Sequence, residues 1–166
     1  KPLIVLDPGH GGIDTGARGT SGTLEKAVVL DFARLLRDKL VASGRYEVHM
    51  TRDDDVFIPL RERVHIAREM EADLLLSVHA DSVRIGREQV RGAGVYTLSE
   101  TASDEIAAAL AERENRSDVI AGIDLADGGN DIVAAAVHVV FRADRNRLDG
   151  ILGPNNMFDR QTEFLR

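Results

Sequence analysis

The sequence predicts an α/β fold: a single domain with a mostly parallel central sheet flanked by helices on both faces. Apolar strand segments alternate along the chain with amphipathic helical segments, and these helices are long enough to cross over between parallel strands. Residues 74–78 (LLLSV) are apolar on both faces, which is typical of a strand in the middle of such a sheet. With 166 residues, 43% of them hydrophobic, the chain suits one domain with a sizeable core.

The first half of the chain alternates strand and helix. Residues 3–6 predict a buried strand, residues 46–50 predict a half-buried strand, and residues 26–43 predict an amphipathic helix between them. A second helix begins at Pro59, which favours the first helical turn, and it precedes the strand at 74–78. The predicted core stripe of this second helix consists of Leu60, Val64, Ala67 and Met70.

The second half of the chain has fewer clear elements. Residues 94–98 predict a fourth strand, and residues 103–116 predict an acidic, alanine-rich helix that begins with a serine. Residues 131–141 are apolar enough for another buried element, whereas residues 144–166 show no sustained hydrophobic periodicity. The architecture therefore depends mainly on the first 98 residues.

Composition narrows the classes of function. The formal net charge is −7 and the two signs alternate, which argues against a nucleic-acid-binding protein, since phosphates require clustered Lys and Arg. The chain has no cysteine, so disulfides and thiolate metal ligands are excluded. No segment approaches the roughly 18 apolar residues of a membrane span. No signal-peptide pattern precedes the first strand, so we expect that the leader of an exported protein would have been removed.

Three residues in the first half form a candidate metal site. His10 and His79 each follow a predicted buried strand, and Glu25 lies between a glycine-rich loop and a helix. Because ligands bind beyond the carboxyl ends of parallel strands, the two histidines are expected to converge at one edge of the sheet. Two imidazoles and one carboxylate are ligands that a catalytic zinc takes while it keeps one position open. The sequence therefore predicts a zinc hydrolase site.

Other candidate sites are weaker. The glycine-rich loop lacks the Gly-Lys-Ser/Thr ending of a phosphate-binding loop, which disfavours a nucleotide-binding protein. Residues 52–55 (RDDD) lack the alternating oxygen ligands of a calcium loop, so a solvated turn is expected there. Structural roles are expected for His49, His65 and His138.

Five features of the sequence, taken in order, resemble one enzyme family. They are residues 6–12 (LDPGHGG), the isolated Glu25, and residues 50–53 (MTRD), 60–63 (LRER) and 77–81 (SVHAD). Their order and spacing are similar to those of the zinc-dependent N-acetylmuramoyl-L-alanine amidases of amidase type 3, over about residues 3–125. The resemblance implies that His10, Glu25 and His79 bind a zinc ion.

The resemblance also implies a substrate and a location. The family hydrolyses the amide bond that joins N-acetylmuramic acid to the L-alanine of peptidoglycan stem peptides. A periplasmic or extracellular protein is therefore expected, with a role in cell-wall remodelling and daughter-cell separation. Peptidoglycan is the expected macromolecular partner.

Residues 99–127 resemble the regulatory insert of the division-associated members. In those members the insert forms a helix that blocks the active site until an activator protein displaces it. By this resemblance Glu112 or Glu114 would occupy the open zinc position, and an activator protein is an expected second partner. The whole chain, residues 1–166, is then a single amidase-like catalytic domain that contains this insert.

The last part of the sequence departs from the family. The family carries its catalytic glutamate on a late strand, in a Val-Glu-x-x-Phe-x-Ser-Asn type motif that this sequence lacks. Glu163 is the only late glutamate, and neither an apolar strand nor Ser-Asn flanks it. The resemblance is expected to stop at about Gly128, and residues 130–166 are expected either to supply a substitute strand, at 133–141, or to be mobile.

No catalytic base follows from the sequence, and two functions remain open for that reason. A general base typically contributes on the order of 10²- to 10⁴-fold to such a reaction. The first function is zinc-dependent amide hydrolysis. The second is a catalytically impaired, zinc-containing module that binds peptidoglycan or a division partner.

Overall fold

The computed structural model of the chain describes residues 1–19, 21–82, 92–97 and 136–143. Within these ranges the chain forms two helices and five strands. In chain order they are β1 (Leu3–Pro8), α1 (Glu25–Ala42), β2 (Glu47–Met50), α2 (Leu60–Glu69), β3 (Leu74–Ser82), β4 (Gly92–Thr97) and β5 (Ala136–Ala143).

The five strands form one sheet in the order β2-β1-β3-β5-β4. The pairs β1–β2, β1–β3 and β3–β5 are parallel, and β4 runs antiparallel to β5 at one edge. This arrangement confirms the predicted α/β fold with a mostly parallel sheet. The strand β3 lies third of five, as its continuous apolar sequence predicts.

The two helices cover opposite faces of the sheet. Ile4 and Leu6 of β1 pack with Leu30 of α1 in one apolar cluster. Val5, which points to the other face, packs in a second cluster with Ala67 of α2. Side chains alternate between the faces of a strand, so β1 is anchored from both sides, and each large side chain fully buried there contributes about 1.5–3 kcal/mol to stability.

Helix α2 differs in two respects from its predicted apolar stripe. Met70 was expected in the core, but it follows the last helical residue and its side chain is 37% exposed. Arg63 was not expected in the core, yet only 3% of its surface is exposed. The reason is that α2 is short and faces the polar end of β1, where a buried guanidinium has acceptors to bind (see below).

Two later strands differ in position from their predicted bounds. The strand expected at 94–98 lies at Gly92–Thr97, and the apolar segment 131–141 supplies β5 at Ala136–Ala143. The expected substitute strand at 133–141 is thus present, shifted toward the C-terminus, and it pairs with β3 along Leu75–Ser82. The helix expected at 103–116 and the insert at 99–127 lie outside the described residues. Neither α1 nor α2 is long and apolar enough to cross a membrane.

Candidate metal centre

His10 lies in the loop that follows β1, as predicted. The strand ends at Pro8, and a tight turn between Gly11 and Asp14 follows the histidine. The backbone of His10 adopts a positive φ of 59°, in the left-handed region that residues other than glycine rarely occupy. Its side chain is buried and points back across the end of the sheet toward Glu25 and His79.

Glu25 is the first residue of α1, and its carboxylate is fully buried. The backbone N–H of Ala17 donates to Oε2 at 2.7 Å, and the backbone N–H of Ala80 donates to Oε1 at 2.8 Å. The first donor lies in the glycine-rich loop and the second lies on β3. These two hydrogen bonds fix the carboxylate between the loop and the sheet.

His79 lies inside β3 rather than beyond its end. The prediction placed the end of this strand at Val78, but the parallel ladder with β5 continues past His79 to Ser82. The imidazole contacts the backbone of Gly9, where an added Cβ would lie 2.2 Å from its Cε1 atom. A glycine is therefore required at position 9 for the ring of His79 to occupy its place.

The three side chains converge at the predicted edge of the sheet. His10 Nε2 lies 3.1 Å from Glu25 Oε1, His79 Nδ1 lies 3.3 Å from His10 Nε2, and His79 Nδ1 lies 3.5 Å from Glu25 Oε1. A tetrahedral zinc with bonds of about 2.05 Å requires its ligand atoms to be about 3.3 Å apart. The donor set and its spacing therefore fit a zinc ion, and all three residues are buried.

The charge of Glu25 also suits a cation site. Burial acts to raise the pKa of this carboxyl group, but hydrogen bonds and charge interactions with His10 and His79 outweigh it and hold the pKa well below its usual value. Glu25 is consequently an anion at neutral pH. An anionic carboxylate that faces two imidazoles is the arrangement that a divalent cation neutralises.

Asp14 is a member of this site that the sequence analysis did not identify. Its Oδ2 lies 2.8 Å from Nδ1 of His10, and its Oδ1 accepts the backbone N–H of Gly16 at 3.1 Å. A carboxylate accepts hydrogen bonds, so Asp14 favours a proton on Nδ1 and leaves Nε2 as the nitrogen that can bind a metal ion. The position of Asp14 four residues after His10, in the same turn, is the sequence signal that identifies it.

Gly16 closes the loop against two members of the cluster. Its φ is +63°, and an added Cβ would lie 2.6 Å from His10 Cδ2 and 2.8 Å from Glu25 Cβ. Both the backbone conformation and the close packing require glycine here. The glycine-rich loop therefore serves to wrap the backbone closely around the buried side chains.

The segment 52–55 is only in part the solvated turn that was expected. Asp53, Asp54 and Asp55 are exposed, but Arg52 is 3% exposed. Its guanidinium donates to the backbone carbonyl oxygens of Pro8 at 2.9 Å and Gly9 at 2.7 Å. The prediction was wrong for Arg52 because the carbonyl groups at the end of β1 supply acceptors that a local sequence pattern does not reveal.

The remaining candidate residues lie apart from this cluster. His49 on β2 and His65 on α2 are exposed, and His65 pairs with Glu69 at 3.3 Å. His138 lies on β5 opposite Ser77 of β3. Three glutamates considered above lie outside the described residues: Glu112, Glu114 and Glu163.

Comparison with known proteins identifies the family. The profile of a family described as N-acetylmuramoyl-L-alanine amidase matches residues 4–141, so the similarity continues beyond Gly128, where it was expected to stop. The chain is 49% identical over 123 residues to the N-acetylmuramoyl-L-alanine amidase AmiA of Escherichia coli K12, a match that covers 74% of this chain and 42% of AmiA. It is 44% identical over 124 residues to AmiC of Neisseria meningitidis, covering 74% of this chain and 29% of AmiC.

Solved structures give the same result. The N-acetylmuramoyl-L-alanine amidase AmiC2 of Nostoc punctiforme superimposes with a TM-score of 0.59 at 31% identity, over 83% of this chain and 77% of that one. The catalytic domain of CwlV from Paenibacillus polymyxa has a TM-score of 0.58 at 27% identity, over 84% of this chain and 79% of that one. The matched part spans less than half the length of AmiA and AmiC. The matched sequence, the sheet and the buried cluster at its edge together establish that the chain belongs to the N-acetylmuramoyl-L-alanine amidase family.

Proposed function

We propose that this chain is a zinc-dependent N-acetylmuramoyl-L-alanine amidase that cleaves the bond between N-acetylmuramic acid and the L-alanine of peptidoglycan stem peptides. The observation that carries the proposal is the convergence of His10 Nε2, Glu25 Oε1 and His79 Nδ1 at separations of 3.1–3.5 Å in a member of this family. These three atoms are the proposed metal ligands. They leave the fourth tetrahedral position for water or substrate.

Zinc in such a site lowers the pKa of a bound water and polarises the carbonyl group of the scissile amide. The residues of the chain hold the ligand atoms in place for this purpose. Asp14 keeps the proton of His10 on Nδ1, and the N–H groups of Ala17 and Ala80 hold the carboxylate of Glu25. The ligand set is thus oriented before the metal binds, which reduces the ordering cost of binding.

The proposed substrate determines the proposed location. Peptidoglycan lies outside the cytoplasmic membrane, so the chain would act in the periplasm or at the cell exterior. A role in cell-wall remodelling and daughter-cell separation is consistent with the 49% identity to AmiA, which is named as an amidase of the same bond. The family membership of residues 4–141 supports this assignment.

We further propose that residues 99–127 form a regulatory insert in which Glu112 or Glu114 occupies the open position of the metal until an activator protein binds. The CwlD amidase of Clostridioides difficile, which shares the fold at 23% identity, was solved in complex with the GerS lipoprotein. Replacement of both glutamates by glutamine is expected to raise amidase activity without activator. Unchanged activity would contradict a blocking role for these two residues.

A second candidate function is a zinc-containing module that binds peptidoglycan without cleaving it. The family carries its catalytic glutamate on a late strand. The late strand β5 (AVHVVFRA) lies beside the strand of His79 and contains no carboxylate, and this observation favours the binding module. A general base must lie within hydrogen-bond reach of the proton that it abstracts. The two candidates differ in turnover and agree in metal binding.

Digestion of purified peptidoglycan sacculi tests the proposed function. The zinc-loaded chain with Glu112 and Glu114 both replaced by glutamine, which lacks the proposed block, is expected to release stem peptides that begin with a free L-alanine amine, and the same chain with His79→Ala added is expected to release none. His49→Ala, which changes an exposed histidine on β2, is the matched control and is expected to retain activity. Zinc binding and sedimentation with sacculi in the absence of peptide release would contradict the amidase proposal and support the binding module.

A further inference from the structure

The backbone of His10 requires support from its surroundings. Its φ of 59° lies in the left-handed region, which is unfavourable for a residue with a side chain. This conformation sets the direction in which the imidazole leaves the loop. A contact that stabilises it therefore affects where Nε2 lies.

Arg63 of α2 makes that contact. Its Nη2 donates to the carbonyl oxygen of His10 at 2.7 Å, and its Nη1 donates to the carbonyl oxygen of Pro8 at 2.8 Å. Its Nε donates to the carbonyl oxygen of Ile58 at 2.8 Å, in the segment that leads into α2. One planar guanidinium thus connects the end of β1, the histidine and the start of the helix.

A buried ion pair holds Arg63 in this orientation. Its Nη1 lies 2.8 Å from Oδ1 of Asp7, and both side chains are about 5% exposed or less. Asp7 also accepts hydrogen bonds from the hydroxyl groups of Thr51 at 2.7 Å and Ser77 at 2.6 Å. The carboxylate is therefore fixed by groups on α2, on β3 and in the residue after β2, and the guanidinium has a fixed partner.

Arg52 contacts the same loop and shares one acceptor with Arg63, the carbonyl oxygen of Pro8. It donates to the carbonyl oxygens of Pro8 and Gly9, and its Nη2 also donates to that of Lys26 at 3.0 Å. Within the loop Arg52 binds the carbonyl oxygens before His10, whereas Arg63 also binds the carbonyl oxygen of His10 itself. The two arginines can therefore be tested separately, and Arg63 is the one that acts directly on the histidine backbone.

We propose that Arg63 is a positioning residue for the metal site, which fixes the left-handed backbone of His10 through its carbonyl oxygen and so aims the imidazole at Glu25 and His79. This inference rests on the proposed zinc site. It assigns to a residue 53 positions away in the sequence a role in metal affinity, in addition to its contribution to packing.

Lysine cannot replace arginine in this role. A lysine at position 63 keeps the positive charge beside Asp7, but its single ammonium group lacks the planar fork that reaches the carbonyl oxygens of Pro8, His10 and Ile58 together. Arg63→Lys therefore removes the positioning contacts while it retains the ion pair. Outer residues of this kind change metal affinity on the order of 10- to 100-fold.

The test compares Arg63→Lys with a variant that is destabilised elsewhere. Leu75→Ala removes a buried side chain of β3, four residues before His79 and in the core cluster beneath α2. Zinc affinity is measured by competition with a chelator at a temperature at which both variants are folded, and the free energy of unfolding is measured by urea titration. If Arg63→Lys folds only in the presence of zinc, its zinc affinity is calculated from two quantities. These are the zinc concentration at which half of the chains are folded and the free energy of unfolding without zinc.

The expected result is a zinc dissociation constant raised on the order of 10- to 100-fold in Arg63→Lys and unchanged in Leu75→Ala. The visible spectrum of the cobalt-loaded protein should also change in Arg63→Lys alone, because the direction of one ligand has changed. Equal zinc affinity in wild type and Arg63→Lys would overturn the positioning role and leave the metal site intact. Failure of the wild-type chain to bind zinc would overturn the proposed site, and this role with it.

Discussion

Asp14 Oδ2 lies 2.8 Å from His10 Nδ1, and both side chains are buried. The contact favours a proton on Nδ1, so that Nε2, which faces the other two members of the cluster, is the nitrogen available to a metal ion. A carboxylate in this position also makes the imidazole a stronger electron donor. Asp14 is accordingly expected to raise metal affinity without touching the metal.

We predict that Asp14→Asn lowers zinc affinity on the order of 10- to 100-fold. The amide retains the size of the side chain but loses the charge, and it no longer favours one tautomer of His10. Calorimetric titration of the metal-free protein with zinc measures the effect. Asp38→Asn, at an exposed position on α1, is the matched control, and equal losses in the two variants would contradict the assigned role of Asp14.

We predict that Gly9→Ala abolishes tight zinc binding. The added Cβ would lie 2.2 Å from Cε1 and 2.6 Å from Nδ1 of His79, so the ring must move and take its proposed ligand atom with it. Gly44→Ala is the control, because no atom lies within 4 Å of its added Cβ and its φ of +69° costs stability alone. Zinc binding by Gly9→Ala equal to that of Gly44→Ala would show that His79 Nδ1 is not a ligand.

We predict that Glu71→Gly stabilises the chain by about 1 kcal/mol, because glycine adopts the left-handed conformation without the strain of a side chain. Glu71 has a φ of 52° immediately after the residue that caps the C-terminus of α2, where glycine is the preferred residue. Urea titration measures the change. Glu69→Gly, two residues earlier at the last residue of α2, should instead lower the stability by up to about 1 kcal/mol, and a loss of stability in both variants would contradict the prediction.

We predict that the buried ion pair of Asp7 and Arg63 makes the chain sensitive to acid. Burial acts to raise the pKa of Asp7, but the charge of Arg63 and the hydrogen bonds from Ser77 and Thr51 outweigh it, so the pKa lies below the ordinary value of 3.8. The folded state therefore binds this proton less readily than the unfolded state. The stabilisation is complete at neutral pH and is lost as the pH falls below about 4.

Asp7→Asn tests this origin of the acid sensitivity. At neutral pH the substitution leaves the guanidinium of Arg63 without its partner and should cost about 3–5 kcal/mol. Below about pH 4 the difference in the free energy of unfolding between the variant and wild type should shrink. The reason is that protonation of the wild-type carboxylate then weakens its stabilising interactions. A difference between the two proteins that is constant from neutral pH to pH 2 would contradict this account.

The sequence predicted the fold and the three clustered residues for a common reason. The end of a strand can be recognised where its apolar pattern is interrupted by glycine, proline or polar residues. Because a parallel sheet brings the carboxyl ends of its strands to one edge, His10 and His79 could be placed together without coordinates. Glu25 was selected from its position between the glycine-rich loop and the helix, together with the family resemblance. The prediction was less accurate for the end of β3, because the pairing with β5 extends that strand and arises from a segment more than 50 residues later.

The supporting residues were missed because their roles depend on tertiary contacts. Arg52 and Arg63 stand in segments that carry the family resemblance, but their acceptors are backbone carbonyl oxygens of a distant loop. No local pattern reports such a contact. Asp14 was closer to recognition, since it lies in the same turn as His10. Buried arginines and carboxylates near a strand end are therefore the residues for which coordinates add most to the sequence.

The most direct test of the account is the amount of zinc bound per purified chain, measured by elemental analysis after dialysis. The account predicts one zinc ion per chain in wild type and in the control His49→Ala, and none in His10→Ala or His79→Ala, because each of the latter removes one of the three proposed ligand atoms. Unchanged zinc content in both His10→Ala and His79→Ala would contradict the central claim that these residues hold the metal.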